Sequence, residues 1–185
     1  MNSAMLKEAA YALKVYCNNA DEIVESVISH AVGAAVAAAG AGCLPGAGST
    51  IAAGISVGII VKMYVSLGKM LGVKLGNGVL KSLASAVVAD LAGAVAASIA
   101  VAAAISFIPG IGTLGSAAIT GITSFCYVYL AGIIYIKMLG SLLNKGKSVD
   151  SMSEAELKQA MRNTASSIDL NDAIKEAKKA YKDNK

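Results

Sequence analysis

Residues 91 to 136 form a stretch of 46 positions without Asp, Glu, Lys, Arg or His. A turn motif interrupts this stretch near its middle, with the sequence Phe107-Ile108-Pro109-Gly110-Ile111-Gly112-Thr113. Because proline and glycine end helices, the pattern predicts two apolar helices that fold back on each other as a hairpin. A helix that is apolar on every side needs either a bilayer or a protein interior around it.

A weaker copy of this hairpin lies upstream, with apolar arms that cover residues 31 to 61. Its turn reads Cys43-Leu44-Pro45-Gly46-Ala47-Gly48-Ser49-Thr50. The two turns align at an offset of 64 residues, which pairs Pro45, Gly46 and Gly48 with Pro109, Gly110 and Gly112. We therefore predict a duplicated hairpin with pseudo-twofold symmetry. The alternative is a coincidental match between two segments rich in Ala and Gly.

Strand signals are scarce, and the apolar segments are far longer than ordinary strands. The predicted fold is all-α: two Pro-Gly-turned helical hairpins form a four-helix apolar bundle, with amphipathic helices at both termini. The predicted helices cover 3–16, 21 to about 41, 50–75, 79–107 and 113–144. Gly76-Asn77-Gly78 is the predicted stop between the third and fourth. In the tail, Ser151 and Glu154 have the spacing of a capping box, and Asn171-Asp172 open a last helix.

Charge divides the chain into three parts. Residues 1–30 and 145–185 carry 22 of the 28 charged side chains, whereas the 114 residues between them carry six. We accordingly predict an N-terminal amphipathic helix over 1–20, a duplicated membrane-type hairpin domain over 21–144, and a soluble amphipathic helical tail over 145–185.

Composition favours a membrane environment for the middle part. Hydrophobic residues make up 56% of the chain and charged residues 15%, where about 25% charged is usual for soluble domains. On an insertion scale, residues 114–136 gain roughly 4 kcal/mol in a bilayer and residues 91–108 roughly 3 kcal/mol. The upstream hairpin is driven more weakly because it contains two lysines and a short, Ala-rich first arm. The second hairpin is thus the predicted membrane element.

Five lysines set the predicted orientation. If the hairpins insert, all five lie on the side away from the two turns, namely Lys62, Lys69, Lys74, Lys81 and Lys137. The positive-inside rule then places both termini and the central connection in the cytoplasm. The N-terminal residues lack the pattern of a signal peptide.

The sequence contains no recognisable active site, and we predict a non-enzymatic protein without cofactor or metal. His30 is the single histidine, and Cys17, Cys43 and Cys126 are predicted to be reduced and inert. Asp90 is a possible buried polar residue that could relay a proton or ion. Its alternative is a surface charge paired with a lysine. The tail mixes nine positive with seven negative charges, which argues against nucleic-acid binding.

The order of motifs from Lys62-Met63 onward is distinctive. It contains Met70-Leu71-Gly72-Val73-Lys74-Leu75, an Ala/Leu-rich helix, the Phe107 to Thr113 turn, and a helix with Tyr127 and Tyr129. Over residues 30 to 143 this resembles the uncharacterised bacterial domain of YcjF-like inner-membrane proteins, also found C-terminal to some Era-like GTPases. Gly48 departs from that pattern, where an acidic residue often follows Pro-Gly-Ala. The resemblance implies membrane association and an auxiliary role beside a GTPase. The family has no agreed activity that would assign a role to individual residues.

Two functional hypotheses follow. The first is a homo-oligomeric bacterial inner-membrane protein that acts as a membrane anchor or adaptor for a cytoplasmic partner, such as a GTPase in trans. The second is a water-soluble, self-assembling helical oligomer or conditional pore-former that inserts its hairpins when triggered. The predicted partners are the lipid membrane, further copies of the chain and a cytoplasmic protein such as a GTPase; in the second hypothesis the resting protein is a soluble cytoplasmic oligomer.

Overall fold

The computed structural model describes residues 3–41, 48–105 and 112–184. Within these ranges the chain forms seven α-helices and one short 3₁₀ turn, and no strand occurs there. The helices are α1 (Ala4–Tyr11), α2 (Ala20–Ala41), α3 (Gly48–Leu71), α4 (Asn77–Ile105), α5 (Gly112–Asn144), α6 (Glu154–Ser166) and α7 (Leu170–Asp183). The predicted all-α class with four long apolar helices is confirmed.

The four long helices are arranged as two consecutive pairs. α2 packs against α3, and α4 packs against α5. α3 begins at Gly48 and α5 at Gly112, so both second helices start at the glycines that the sequence alignment paired. The turn residues Pro45, Gly46, Pro109 and Gly110 lie outside the described residues. The pseudo-twofold repeat stays a prediction.

The end of α3 differs from the prediction. α3 stops before Gly72, which adopts a left-handed φ of 70°. The Val73 N–H then donates to the Gly68 carbonyl at 2.8 Å, which closes a Schellman-type cap. The predicted end of this helix at Leu75 is therefore wrong. The Gly-Asn-Gly motif does not end α3 either, because Asn77 is already the first residue of α4.

The N-terminal helix is also shorter than predicted. α1 ends at Tyr11 instead of Tyr16. Beyond it, the N–H groups of Leu13 and Tyr16 donate to carbonyls three residues earlier, at 3.0 and 2.8 Å. These tighter turns lead the chain into α2 while Leu13 remains fully buried.

The predicted capping box of α6 lies two residues further along the chain. Ser151 belongs to the 3₁₀ turn, and Ser153 is the N-cap. The Ser153 hydroxyl accepts the Glu156 N–H at 3.3 Å, and the Glu156 carboxylate accepts the Ser153 N–H at 2.8 Å. The Ser153 hydroxyl also donates to the Glu156 carboxylate at 2.7 Å, and this bond together with that from the Ser153 N–H lowers the pKa of Glu156. At the last helix, Asp169 provides the cap.

α5 is the centre of the bundle. Every residue from Ser124 to Ile136 is buried, although a helix normally exposes one side. α2, α3 and α4 contact α5 along its length, and α1, α6 and α7 cover its remaining surface. The absence of a polar face in this sequence is thereby explained: no side of this segment meets solvent.

Two features make the packing around α5 tight. The rings of Tyr64 and Tyr135 stack with centroids 4.0 Å apart, and both side chains are fully buried. At Gly132, a Cβ atom would lie 2.7 and 2.9 Å from the two methyl groups of Val27 and 3.4 Å from the Met63 sulfur. α2 approaches α5 this closely because position 132 has no side chain.

Gly132→Ala should destabilise the bundle by about 1 to 3 kcal/mol, because the stiff, buried Val27 must move to admit the methyl group. Gly33→Ala on α2 is the matched control, since a Cβ there meets nothing within 4 Å. The control should be neutral or stabilise by up to about 1 kcal/mol through helix propensity. Thermal unfolding followed by circular dichroism measures both. Equal stability of the two variants would contradict close packing at position 132.

Candidate membrane-insertion region

One end of the bundle lacks charged side chains on all four long helices. We call this region the apolar end. It comprises residues 31–41 of α2, 48–61 of α3, 91–105 of α4 and 112–136 of α5. α2 and α5 run in opposite directions, since Gly121 lies beside Ala35 and Ala39 whereas Gly132 lies beside Val27, so their charge-free segments lie side by side.

The length of the apolar end is comparable with the thickness of a membrane. At 1.5 Å per residue, the 14 charge-free residues of α3 rise about 21 Å and the 25 of α5 about 37 Å. The hydrocarbon core of a bilayer is about 30 Å thick. All four long helices contain a described segment that is long and apolar enough to cross a membrane.

Much of the apolar end is not covered by the protein itself. Only 39% of the most apolar segment is buried in α3 and likewise in α4, against 72% in α5. Val36 on α2 is 70% exposed and Ile119 on α5 is 42% exposed. Exposed apolar surface on several adjacent helices marks a site of contact with lipid or protein. The four long helices are compatible with a membrane-associated helical protein.

The five predicted orientation lysines all lie outside the apolar end. Those on or next to α3 and α4 are exposed, and the one on α5 is half-buried: Lys62, Lys69, Lys74, Lys81 and Lys137. Lys62 directly follows the charge-free part of α3, and Lys137 directly follows that of α5. They therefore mark the boundary at which a bilayer interface would have to lie.

Asp90 lies at the surface rather than in the interior. Its side chain is 40% exposed, and one carboxylate oxygen lies 3.4 Å from Nε of Arg162 on α6. The partner is an arginine, whereas the sequence suggested a lysine. An exposed pair of this kind contributes at most about 1 kcal/mol. Asp90 marks the lower boundary of the apolar end on α4.

The other polar residues singled out from the sequence are not assembled into a chemical site. Nδ1 of His30 lies 2.7 Å from the Ser26 carbonyl oxygen one helical turn earlier. Cys17 and Cys126 are free, while Cys43 falls outside the described residues. In the part of the chain that the structure describes, no three His, Cys, Asp or Glu side chains lie close enough to hold a metal ion.

The C-terminal helix α7 makes polar contacts that sequence reasoning missed. Glu176 accepts the backbone N–H groups of Met5 and Leu6 at 2.9 and 3.2 Å. These donors belong to the first turn of α1, where helical N–H groups have no partner within the helix. The Tyr129 hydroxyl on α5 donates to the same carboxylate at 2.9 Å. One side chain thus joins α7 to α1 and α5.

α7 also reaches alongside the apolar end. Nζ of Lys178 donates to both the carbonyl and the hydroxyl oxygen of Ser98 on α4, each at 2.7 Å. The Tyr181 ring packs edge-on against Phe125 of α5, with centroids 5.4 Å apart. The small face of α7, with Ala173, Ala177 and Ala180, is buried. A strongly charged helix therefore covers one side of the apolar bundle.

This position of α7 limits the depth of insertion in the described conformation. A Cβ atom at Gly121 would lie 3.5 Å from the Tyr181 hydroxyl of α7. The charge-free part of α5 on the N-terminal side of Gly121, residues 112–120, has nine residues and rises about 13 Å. That distance is close to one half of a hydrocarbon core of about 30 Å. A bilayer interface level with Lys137 would therefore bury the charged helix α7 on this face unless α7 moved.

Compared with family models, curated proteins and solved structures, the chain has no significant match. The resemblance to YcjF-like proteins accordingly stays a prediction.

Glu176→Ala should loosen α7 from the bundle. The substitution removes a charged acceptor for three donors, and hydrogen bonds to charged groups contribute about 1.5 to 3 kcal/mol. Amide hydrogen exchange in α7 should accelerate by roughly tenfold to a hundredfold. Asp172→Ala is the control, because it also removes one negative charge from α7 but only breaks an exposed pair with Lys175. If both variants exchange alike, Glu176 does not fasten α7.

Proposed function

We propose that the protein is a non-enzymatic, membrane-associated helical-hairpin protein of the bacterial inner membrane. It binds the bilayer through the apolar end and keeps both termini in the cytoplasm. The observation that carries the proposal is the uncovered, charge-free surface shared by four adjacent helices. Burial of such surface in lipid is favourable at about 25 cal/mol per Å² of apolar area.

The orientation follows from the lysines at the boundary. Lysine near a membrane interface can place its ammonium group in the headgroup region while its methylene chain stays in apolar surroundings. The exposed Lys62 fits that role on α3, where it directly follows the charge-free part. Positive residues at one end of the bundle favour that end on the cytoplasmic side.

We further propose that the opposite end serves as an anchor or adaptor for a cytoplasmic partner, within a homo-oligomer. α1, α6 and α7 carry 13 of the 27 charged side chains of the described residues, and their outer faces are exposed. A GTPase acting in trans is the partner class implied by the YcjF-like resemblance. Association of copies through uncovered faces of α3 and α4 would leave α1 and α6 accessible to that partner.

Alkaline carbonate extraction of cell membranes tests the proposal directly. The protein should remain in the membrane pellet, since carbonate strips peripheral proteins but leaves inserted helices in the lipid. Release into the supernatant together with peripheral marker proteins would contradict insertion of the hairpins.

Ile119→Lys and Val36→Lys should each weaken membrane partition. Both side chains are exposed in the apolar end. In the proposed function the bilayer covers them. A lysine near the bilayer centre costs about 3 kcal/mol, on the order of a hundredfold in partition, and less near the interface. Val15→Lys is the control, because Val15 is 89% exposed but lies outside the apolar end. Vesicle flotation measures the effect, and three equal results would count against the proposed region.

A second candidate function is conditional insertion, in which the protein forms a pore only after a trigger. The position of α7 favours it, because Glu176 and Lys178 hold a charged helix against segments that otherwise suit a bilayer. Release of α7 would expose further apolar surface of α4 and α5. In this scheme the described conformation is the resting state.

Conditional insertion predicts that Glu176→Ala raises vesicle leakage. Loss of the bonds to Met5, Leu6 and Tyr129 favours the released state of α7 by about 1.5 to 3 kcal/mol. Leakage of a dye from vesicles should therefore accelerate by roughly tenfold or more relative to the wild type. Asp172→Ala should leave the rate unchanged. Identical leakage in all three proteins would reject this second function and leave the first in place.

A further inference from the structure

A groove of about 770 Å³ runs along α3 and ends at the first turns of α4. The part nearest the turns is lined by apolar and small residues, namely Gly54, Val57, Gly58 and Val61. The other part is lined by three lysines, Lys62, Lys69 and Lys81. The groove thus changes from apolar to cationic along its length.

The three lysines form a cluster of unneutralised positive charge. All three are exposed, and none forms an ion pair with a carboxylate in the described part of the chain. Asn77, the first residue of α4, lines the same part of the groove. The partial positive charge of that helix N-terminus adds to the field of the lysines. An anion in this position would have favourable electrostatic interactions and no competing internal carboxylate.

Glycines keep the apolar part of the groove open. A Cβ atom placed on Gly54 or Gly58 would meet no atom within 4 Å. Val57 and Val61 flank this space and are half-buried. From Lys62 back to Gly54 the helix rises about 12 Å, which gives an apolar track next to the lysines long enough for part of an acyl chain.

We propose that this groove binds an anionic phospholipid, with an acyl chain along Gly54 and Gly58 and the phosphate group among Lys62, Lys69 and Lys81. The inference rests on the proposed membrane association. Its direction agrees with the bundle, since the apolar part points to the apolar end and Lys62, which begins the cationic part, lies at the predicted interface. A lipid in the groove would have its headgroup at the interface and its chain in the hydrocarbon core.

Native mass spectrometry of the full chain in a neutral detergent tests the proposal, with phosphatidylglycerol as the probe. The protein should retain phosphatidylglycerol at least about tenfold more strongly than phosphatidylcholine, since only the former has net negative charge. Glycerol phosphate, which has the anionic group without acyl chains, should not be retained. Equal retention of the two lipids, or binding of glycerol phosphate alone, would overturn the proposal.

Charge variants test the cationic part. Replacement of all three groove lysines by Gln, at Lys62, Lys69 and Lys81, should lower phosphatidylglycerol retention by about tenfold or more. The matched control replaces three exposed lysines elsewhere, Lys14, Lys145 and Lys147, and removes the same net charge. The control should bind as the wild type does. Equal loss in both triple variants would show general charge attraction and overturn a specific groove.

Gly58→Leu tests the apolar part without removing any charge. The leucine would fill the open space and exclude the acyl chain, while its helix propensity exceeds that of glycine, so folding is preserved. Gly33→Leu on α2 is the control, at an equally open and exposed position outside the groove. We expect loss of phosphatidylglycerol retention in Gly58→Leu alone. Retention by both variants would overturn the proposal.

Failure of the groove can be told apart from failure of membrane association. Flotation of the wild type with vesicles of pure phosphatidylcholine reports association through the apolar end, without an anionic headgroup. Flotation without phosphatidylglycerol retention would overturn the lipid site and leave the proposed function intact. If Gly58→Leu instead breaks a dimer and does not change lipid retention, a second copy of the chain occupies the groove and the lipid proposal fails.

Discussion

Burial of α5 on every side is the constraint on which the rest of the structure depends. Its sequence from 112 to 136 lacks charge and presents no polar face, so other elements or lipid must surround it. The chain meets this requirement over Ser124 to Ile136 with six other helices. Towards the N-terminus of α5 the cover becomes incomplete, and Ile119 is left exposed. The same helix is therefore a protein core in one half and a candidate membrane surface in the other.

α7 occupies the transition between these two halves. Apolar burial through Ala177 and Ala180 holds it against the bundle, and the polar contacts of Glu176 and Lys178 fix its position. Ile174 is buried as well, and Tyr181 packs against Phe125, so apolar burial and hydrogen bonds together hold α7 in place. Release of α7 requires the loss of both. This balance connects the resting bundle with the deeper insertion of the second candidate function.

The sequence was informative about helices and poor about contacts between distant segments. Composition and the two Pro-Gly motifs predicted four long helices, and Gly48 and Gly112 begin α3 and α5 as their alignment suggests. The early end of α3 was missed because Gly72 looked like one of many helix glycines, and its positive φ is visible only in the structure. The capping box of α6 begins at Ser153, two residues after the predicted Ser151.

The docking of α7 could not be predicted for a different reason. Glu176 and Met5 are 171 residues apart, and no local pattern links them. The sequence predicted a soluble amphipathic helical tail, and amphipathic spacing alone does not say whether the apolar face of α7 meets the bundle, a membrane surface or water. Likewise, Lys62, Lys69 and Lys81 appeared in the sequence only as orientation charges. Their common groove arises from the packing of α4 beside α3.

Depth measurement by spin labelling in reconstituted bilayers tests membrane insertion of the apolar end most directly. Labels replace Val36, Ile119 and Val15 in separate samples, and each is exposed to oxygen and to a water-soluble nickel complex. Labels at Val36 and Ile119 should be accessible to oxygen and protected from nickel, whereas the label at Val15 should show the reverse. Accessibility of all three positions to nickel would contradict insertion of the apolar end.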